Sequence, residues 1–195
     1  MIGWVPHLLS AFIEEVAGPA VRREVLAAAG SDPDLPFRLD ATYADAACRR
    51  ILDVACARLG VTEEAAFEAF APFFLARSRA AFPGFFAHRP DVRDFLLHQP
   101  EVHNTLAAGL AEGEREHVAR KFRAQALPGG VRIFYRSPNR LAGLYAAVAR
   151  RLGEECGQTV TVVFEAGCAT DEECIIALAV GAREHAAPIP ERIAA

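Results

Sequence analysis

The chain lacks the short motifs that mark common enzyme sites. It has no GxGxxG or P-loop segment for nucleotide phosphates, no GxSxG nucleophile turn and no HExxH metal motif. It also lacks a CxxC pair, since the two closest cysteines, Cys168 and Cys174, are six residues apart. We therefore expect that this chain is not an enzyme.

Long apolar runs are also missing. No run of 18 consecutive apolar residues occurs, so we expect no membrane-spanning helix. The opening residues, MIGWVPHLLSAFIEEV, lack the basic start and the cleavage site of a secretory signal. The odd number of cysteines, five, indicates reduced thiols and a cytoplasmic protein. A partial zinc site is the alternative for three of them, Cys156, Cys168 and Cys174.

The charge balance shows no basic excess. The formal net charge is -4, which gives no electrostatic reason to expect nucleic acid as a partner. A hydrophobic content of 52% over 195 residues is sufficient for a substantial core. The length favours a single domain, residues 1–195.

The first half of the chain carries the pattern of amphipathic helices. Glycines end several segments, and Thr62 followed by acidic residues is typical of a helix N-terminus. Apolar spacing predicts helices over 7–18, 19–30, 44–60, 61–82 and 91–110, with a proline-containing loop over 31–42.

The pattern changes after about residue 115. Four short apolar or alternating segments predict strands: 116–123, 131–135, 159–166 and 174–180. A helix is predicted over 138–152, between the second and third strands. The chain is therefore expected to have an α+β fold, in which a helical N-terminal subdomain packs on a four-stranded antiparallel sheet with an inserted helix.

Two segments of the sequence place polar side chains among apolar residues. His103 lies in DFLLHQPEVHNTLAAGL, where its imidazole either bonds to the backbone inside a core or binds a metal. The segment YRSPNR, residues 135–140, places a phenol, a hydroxyl and a guanidinium where a strand meets a helix. Ser137 before Pro138 is also a suitable cap for that helix.

The order and spacing of these features resemble the H-NOX (haem nitric oxide/oxygen binding) family over nearly the whole chain. The first 30 residues resemble the family's opening helices, and AFPGFF, residues 81–86, resembles its aromatic segment. FLLHQPEVH resembles the segment that ends in the proximal haem histidine, and YRS resembles the start of the family's YxSxR motif. The resemblance implies a haem-binding domain with helices at about 1–62, a haem-binding subdomain at about 63–182 and a tail at 183–195.

The resemblance also implies roles for individual residues. His103 would be the axial ligand of the iron in haem b, and Tyr135 and Ser137 would hold the propionates. The motif's arginine is replaced by Asn139, so the neighbouring Arg140 is a further candidate for the propionates. The family's prolines after the proximal helix are absent from AEGEREHVARKF. The expected cofactor-binding residues are His103, Tyr135, Ser137, Asn139, Arg140, Val5, Phe74 and Leu144.

The resemblance also implies which gas binds, through the residues that face the haem on the side opposite His103. In oxygen-binding members a tyrosine donates a hydrogen bond to dioxygen, and Leu144 occupies that position here, with Tyr145 on another helix face. A wall built from Val5, Phe74 and Leu144 implies a nitric oxide sensor that excludes oxygen. Its signal would be received by a separate protein, a histidine kinase or a cyclic-di-GMP enzyme.

Three alternatives remain at this point. The chain could be a haem-free interaction module of the same fold, which the replacement by Asn139 favours. Its cavity could hold another tetrapyrrole or an apolar ligand. An enzyme with a nucleophilic Cys168 or Cys174 would need a nearby base, for which His185 is the candidate.

Overall fold

The computed structural model describes residues 2–39, 41–87, 91–108, 112–113, 115 and 120–182. The N-terminal half is helical and the C-terminal half contains a sheet with one inserted helix, as the sequence predicted. The helices are α1 (Trp4–Ala28), α2 (Asp45–Leu59), α3 (Glu63–Ala81), α4 (Pro83–Phe86), α5 (Val92–Leu97), α6 (Gln99–Ala107) and α7 (Ala142–Glu155). The strands are β1 (Phe122–Leu127), β2 (Gly130–Arg136), β3 (Val160–Ala166) and β4 (Glu173–Val180).

The two helices predicted in the first 30 residues are consecutive segments of α1. Gly18 separates them with a φ of 87° and a ψ of 166°, which are not helical values. Glycine adopts this conformation readily, and Pro19 is well suited to start the second segment because its ring fixes φ. The predicted cap of α3 is confirmed, since the Thr62 side chain accepts a hydrogen bond from the Ala65 N–H.

The helix predicted over 91–110 is divided in two. α5 ends at Leu97 and α6 begins at Gln99, with His98 between them. Pro100, in the first turn of α6, has no N–H to continue the hydrogen bonding of α5. The predicted end at residue 110 lies outside the described residues. The division places His103 in the middle of a short helix, α6.

The four strands form one antiparallel sheet with the order β1-β2-β4-β3. β1 and β2 form a hairpin through the turn at Gly129, and β4 lies between β2 and β3. The first strand was predicted over 116–123, but it begins at Phe122, which pairs with Tyr135. The inserted helix was predicted from residue 138, but α7 begins at Ala142.

Two groups of buried side chains form the core. The sheet cluster packs the inner face of the sheet against α5 and part of α7, and it includes Phe95, Phe122 and Ile133. The helical cluster joins α1, α2 and most of α3, and it includes Leu8, Ile51 and Phe70. α7 contributes to both clusters, with Ala149 in the first and Leu144 in the second. Any space between the clusters is therefore bordered by α7.

Candidate functional site

A cavity of about 180 Å³ lies between the sheet cluster and the helical cluster. Its wall is mostly apolar and aromatic, as in sites that bury a flat apolar ligand. Of the residues expected at the site, the cavity wall contains Val5, Phe74, His103, Tyr135, Asn139 and Leu144. Residues far apart in the chain are thus brought to one place.

His103 contributes an imidazole to the sheet side of the cavity. α6 holds it against β1, where the ring stacks on Phe122 with 4.5 Å between ring centroids. The side chain is half-buried by area, since part of it faces the cavity. Its ring nitrogens form no hydrogen bond with any described residue. This leaves a nitrogen lone pair available to a metal, which is the unusual alternative for a histidine in an apolar setting.

The surroundings of His103 favour its neutral form. Burial lowers the pKa of this imidazole to about 4, and the positive charge of Lys121 acts in the same direction. An ordinary histidine has a pKa near 6.5. The side chain is therefore neutral at pH 7, which is the form that binds iron.

This shift predicts a pH-dependent stability for the ligand-free protein. The unfolded chain takes up a proton at His103 below about pH 6.5, whereas the folded chain does so only near pH 4. The free energy of unfolding should therefore fall as the pH falls through this window, by up to about 3 kcal/mol. Urea denaturation at pH 7 and 4.5 measures it, with His103→Phe as the control. If that variant loses as much stability as the wild type, His103 is not responsible.

The corner at the end of β2 is a buried hydrogen-bond network. The Tyr135 hydroxyl donates to Asn139 Oδ1 and accepts from the Leu141 N–H at 2.9 Å. Tyr135 and Asn139 are 3% and 5% exposed, so breaking their bond would leave buried polar groups unpaired. Burial raises the pKa of Tyr135, so it remains a neutral phenol. Both side chains line the cavity and offer it uncharged polar atoms only.

Ser137 and Arg140 are placed differently from expectation. Ser137 is fully buried but does not line the cavity, and because α7 starts at Ala142 it is not the helix cap. Arg140 has a φ of 54°, and its exposed guanidinium pairs with Glu172 at 2.9 Å. Arg140 is therefore not part of the cavity wall in this structure, whereas the expectation placed it there as a substitute for the motif's arginine.

The helical side of the cavity is apolar. Val5 and Phe74 pack against the helical cluster, and Leu144 belongs to it. The nearby Trp4 indole N–H is already used, since it donates to Ser78 Oγ at 3.0 Å. The side chains of Val5, Phe74 and Leu144 therefore offer no hydrogen bond to a small ligand.

Tyr145 also lines the cavity, although it lies on a different face of α7 from Leu144. Its ring packs against Phe122, with 5.3 Å between centroids, and therefore lies on the sheet side with His103. The hydroxyl is buried and has no hydrogen-bond partner within the described part of the chain. Burial raises the pKa of Tyr145. The helical spacing placed this residue outside the site, and the structure places it inside.

Lys121 is a charged residue of the cavity wall that sequence reasoning did not identify. It immediately precedes β1, is 6% exposed and lines the same cavity as His103, Tyr135 and Asn139. The strand predicted over 116–123 included Lys121 without indicating which way it points. The signal in the sequence was its rarity, since this is the only lysine of the chain.

The cysteines do not form a site in the described residues. No group of three or more histidine, cysteine or acidic side chains there is arranged to hold a metal ion. Cys168 is exposed in the turn before β4, whereas Cys174 is buried in the strand. Burial raises the pKa of Cys174 to about 11, which disfavours a nucleophilic thiolate. His185, the expected base, lies outside the described residues.

Comparison with known proteins agrees with this geometry. A family model described as haem-NO-binding matches residues 2–163. The chain belongs to the H-NOX family. The resemblance stated from the sequence is thereby confirmed, and gas sensing with haem is the general function that this membership implies.

Solved H-NOX structures have the same fold. An H-NOX protein from S. oneidensis superposes with a TM-score of 0.77 at 16% identity, over 95% of this chain and 98% of that one. An oxygen-binding H-NOX domain, related to soluble guanylate cyclases, superposes with a TM-score of 0.73 at 16% identity, over 93% and 94%. The α+β fold predicted from the sequence is confirmed by these superpositions.

A curated relative is similar over a shorter stretch. Soluble guanylate cyclase gcy-37 of Caenorhabditis elegans is 33% identical over 78 residues, which are 40% of this chain. The match spans only 11% of that cyclase.

None of the helices described in this H-NOX chain is both long and apolar enough to cross a bilayer.

Proposed function

We propose that this chain is a nitric oxide sensor that binds haem b through His103. The observation that carries the proposal is the neutral imidazole on the wall of an apolar cavity, without a hydrogen-bond partner among the described residues. A core histidine normally satisfies its ring nitrogens with the backbone. His103 instead keeps a ring nitrogen available on the cavity wall, and a haem protein needs such a nitrogen as its axial ligand.

The other cavity residues fit a haem as well. The apolar walls from both clusters suit a flat macrocycle, and the corner at Tyr135 and Asn139 can hydrogen-bond to carboxylates at its edge. Tyr145 reaches the same cavity from the sheet side, where its ring packs against Phe122.

The apolar helical side supports nitric oxide as the ligand. When bound, the haem supplies the iron that takes up the gas. Bound dioxygen is polarised and gains from a hydrogen-bond donor, whereas nitric oxide binds ferrous iron strongly without one. Val5, Phe74 and Leu144 provide no donor, so this wall disfavours oxygen.

The placement of His103 also suggests how the sheet would respond. α6 carries this residue and packs on β1, where the imidazole stacks on Phe122. A movement of α6 would therefore reach the sheet directly. A gas can bias the protein only through a contact that differs between the two states, and a bond between His103 and a bound haem would be that contact.

The proposed receiver of the signal is a separate effector protein. The family resemblance implies a histidine kinase or a cyclic-di-GMP enzyme as the separate partner. The similarity to a soluble guanylate cyclase indicates a nucleotide cyclase as another kind of effector.

The five free cysteines fit a reducing, cytoplasmic setting in which ferrous iron persists.

The absorption spectrum of the purified protein tests the proposal. The protein is loaded with haem, reduced under argon, and measured before and after addition of air or nitric oxide. We expect a five-coordinate ferrous spectrum that is unchanged by air and shifted by nitric oxide. A protein that cannot be loaded with haem would instead support the haem-free interaction module, and a shift in air would contradict the selectivity.

A further inference from the structure

The chain has 21 basic residues, of which 20 are arginines and one is Lys121. The arginines with known ion pairs lie at the surface or at its edge, as Arg132, Arg136 and Arg140 do. Lys121 is instead 6% exposed and lines the cavity. Lysine is among the residues least often fully buried unless it is paired. Its position therefore needs an explanation.

The position of Lys121 is fixed by the sheet. Its carbonyl accepts a hydrogen bond from the Arg136 N–H at 3.0 Å, and the next residue, Phe122, pairs with Tyr135. Lys121 therefore lies beside the Tyr135 corner. Electrostatics supports this placement, since the Asp45 carboxylate acts on both Lys121 and Tyr135. The Lys121 charge also reaches His103.

The ammonium group makes no hydrogen bond or ion pair with the residues that the structure describes. Burial lowers the pKa of Lys121, and the electrostatic effect of Asp45 opposes that shift without reversing it. A buried charge is costly unless it is paired and hydrogen-bonded. A negative group inside the cavity would supply the missing partner.

We propose that Lys121 is the counter-ion for a carboxylate of the cavity ligand, in haem a propionate. This assignment rests on the proposed function. Asn139 stands where the family motif has its arginine, and the nearby Arg140 points to the surface, so neither supplies a positive charge to the cavity. Lys121 supplies that charge from the start of β1 instead, next to the neutral donors of the same corner.

The test compares haem with haem dimethyl ester, in which both propionates are uncharged. Dissociation constants are measured by absorbance titration for the wild type, Lys121→Met and Lys121→Arg. Arg123→Met is the matched control, because Arg123 is exposed on β1 two residues after Lys121 and its loss removes the same charge. A charged hydrogen bond corresponds to a change of about 10- to 100-fold in affinity.

We expect Lys121→Met to weaken haem binding by that factor and to leave binding of the ester nearly unchanged. Lys121→Arg should retain most of the affinity, and Arg123→Met all of it. If Lys121→Met leaves the ratio between haem and ester unchanged, the inference is wrong while the proposed function stands. If the wild type binds neither compound, the proposed function is wrong and the inference is wrong with it.

Two further measurements keep the result independent of folding. The melting temperature of ligand-free Lys121→Met should equal or exceed that of the wild type, because a buried charge is removed; a fall would indicate a structural ion pair and overturn the inference. In the wild type, the sole lysine gives one side-chain ¹³Cε resonance. Zinc protoporphyrin IX should shift this resonance more than its dimethyl ester does, and equal shifts would overturn the inference.

Discussion

Replacing His103 with alanine should abolish the five-coordinate ferrous spectrum and the response to nitric oxide. The imidazole lies on the cavity wall without a hydrogen-bond partner among the described residues, and it is the proposed iron ligand. Loss of a direct ligand should lower haem affinity by at least the 10- to 100-fold that outer-shell changes cost. Absorbance titration with haem, followed by reduction and addition of nitric oxide, measures both effects.

His98 provides the matched control for this substitution. It lies five residues earlier, its Nδ1 donates to the Asp94 carbonyl at 2.7 Å, and it is not part of the cavity wall. His98→Ala should therefore bind haem like the wild type. In His103→Gly, imidazole added to the buffer should restore the five-coordinate spectrum. A normal spectrum for His103→Ala without imidazole would show that another residue binds the iron.

Much of the fold could be predicted because its signals are local. Gly18 and Gly30 separate helices through their own backbone freedom, and Thr62 caps α3 through a contact three residues away. The strands likewise follow from alternating apolar residues and a glycine turn. These features depend on neighbours in the sequence, so one sequence is enough to read them.

The start of α7 could not be predicted for the opposite reason. The segment from Ser137 to Leu141 has a serine followed by proline, which is typical of a helix start. In the structure the Leu141 N–H is bonded by Tyr135 and Asn139, and Arg140 adopts a positive φ. The Ser137 N–H also bonds to the Glu172 carbonyl, which is distant in sequence, and together these constraints delay the helix to Ala142.

The same distinction applies to the cavity. His103, Tyr135 and Asn139 were found from motifs whose spacing is local. Lys121 and Tyr145 were missed because their direction depends on where β1 starts and on how α7 packs between two clusters. Tyr145 is 100° from Leu144 around the helix, yet a cavity bordered by both clusters receives both side chains.

Replacing Leu144 with tyrosine should convert the sensor into an oxygen binder. Leu144 is 6% exposed and lines the cavity on its helical side, with Val5 and Phe74. A phenol there would donate a hydrogen bond to polarised dioxygen on the iron. One such bond raises oxygen affinity by about 10- to 100-fold. Spectra of the ferrous protein over a range of oxygen pressures measure the change, and nitric oxide binding should change little.

Two variants test whether a hydrogen bond from residue 144 causes the oxygen binding, rather than the shape of the ring or the hydroxyl of Tyr145. Leu144→Phe adds the same ring without the hydroxyl, so it should remain insensitive to air; oxygen binding by this variant would attribute the effect to shape. Tyr145→Phe removes the hydroxyl that has no partner among the described residues. Because that hydroxyl lies on the His103 side, its removal should leave ligand selectivity unchanged. If the wild type binds oxygen and Tyr145→Phe does not, then Tyr145, rather than position 144, faces the bound gas.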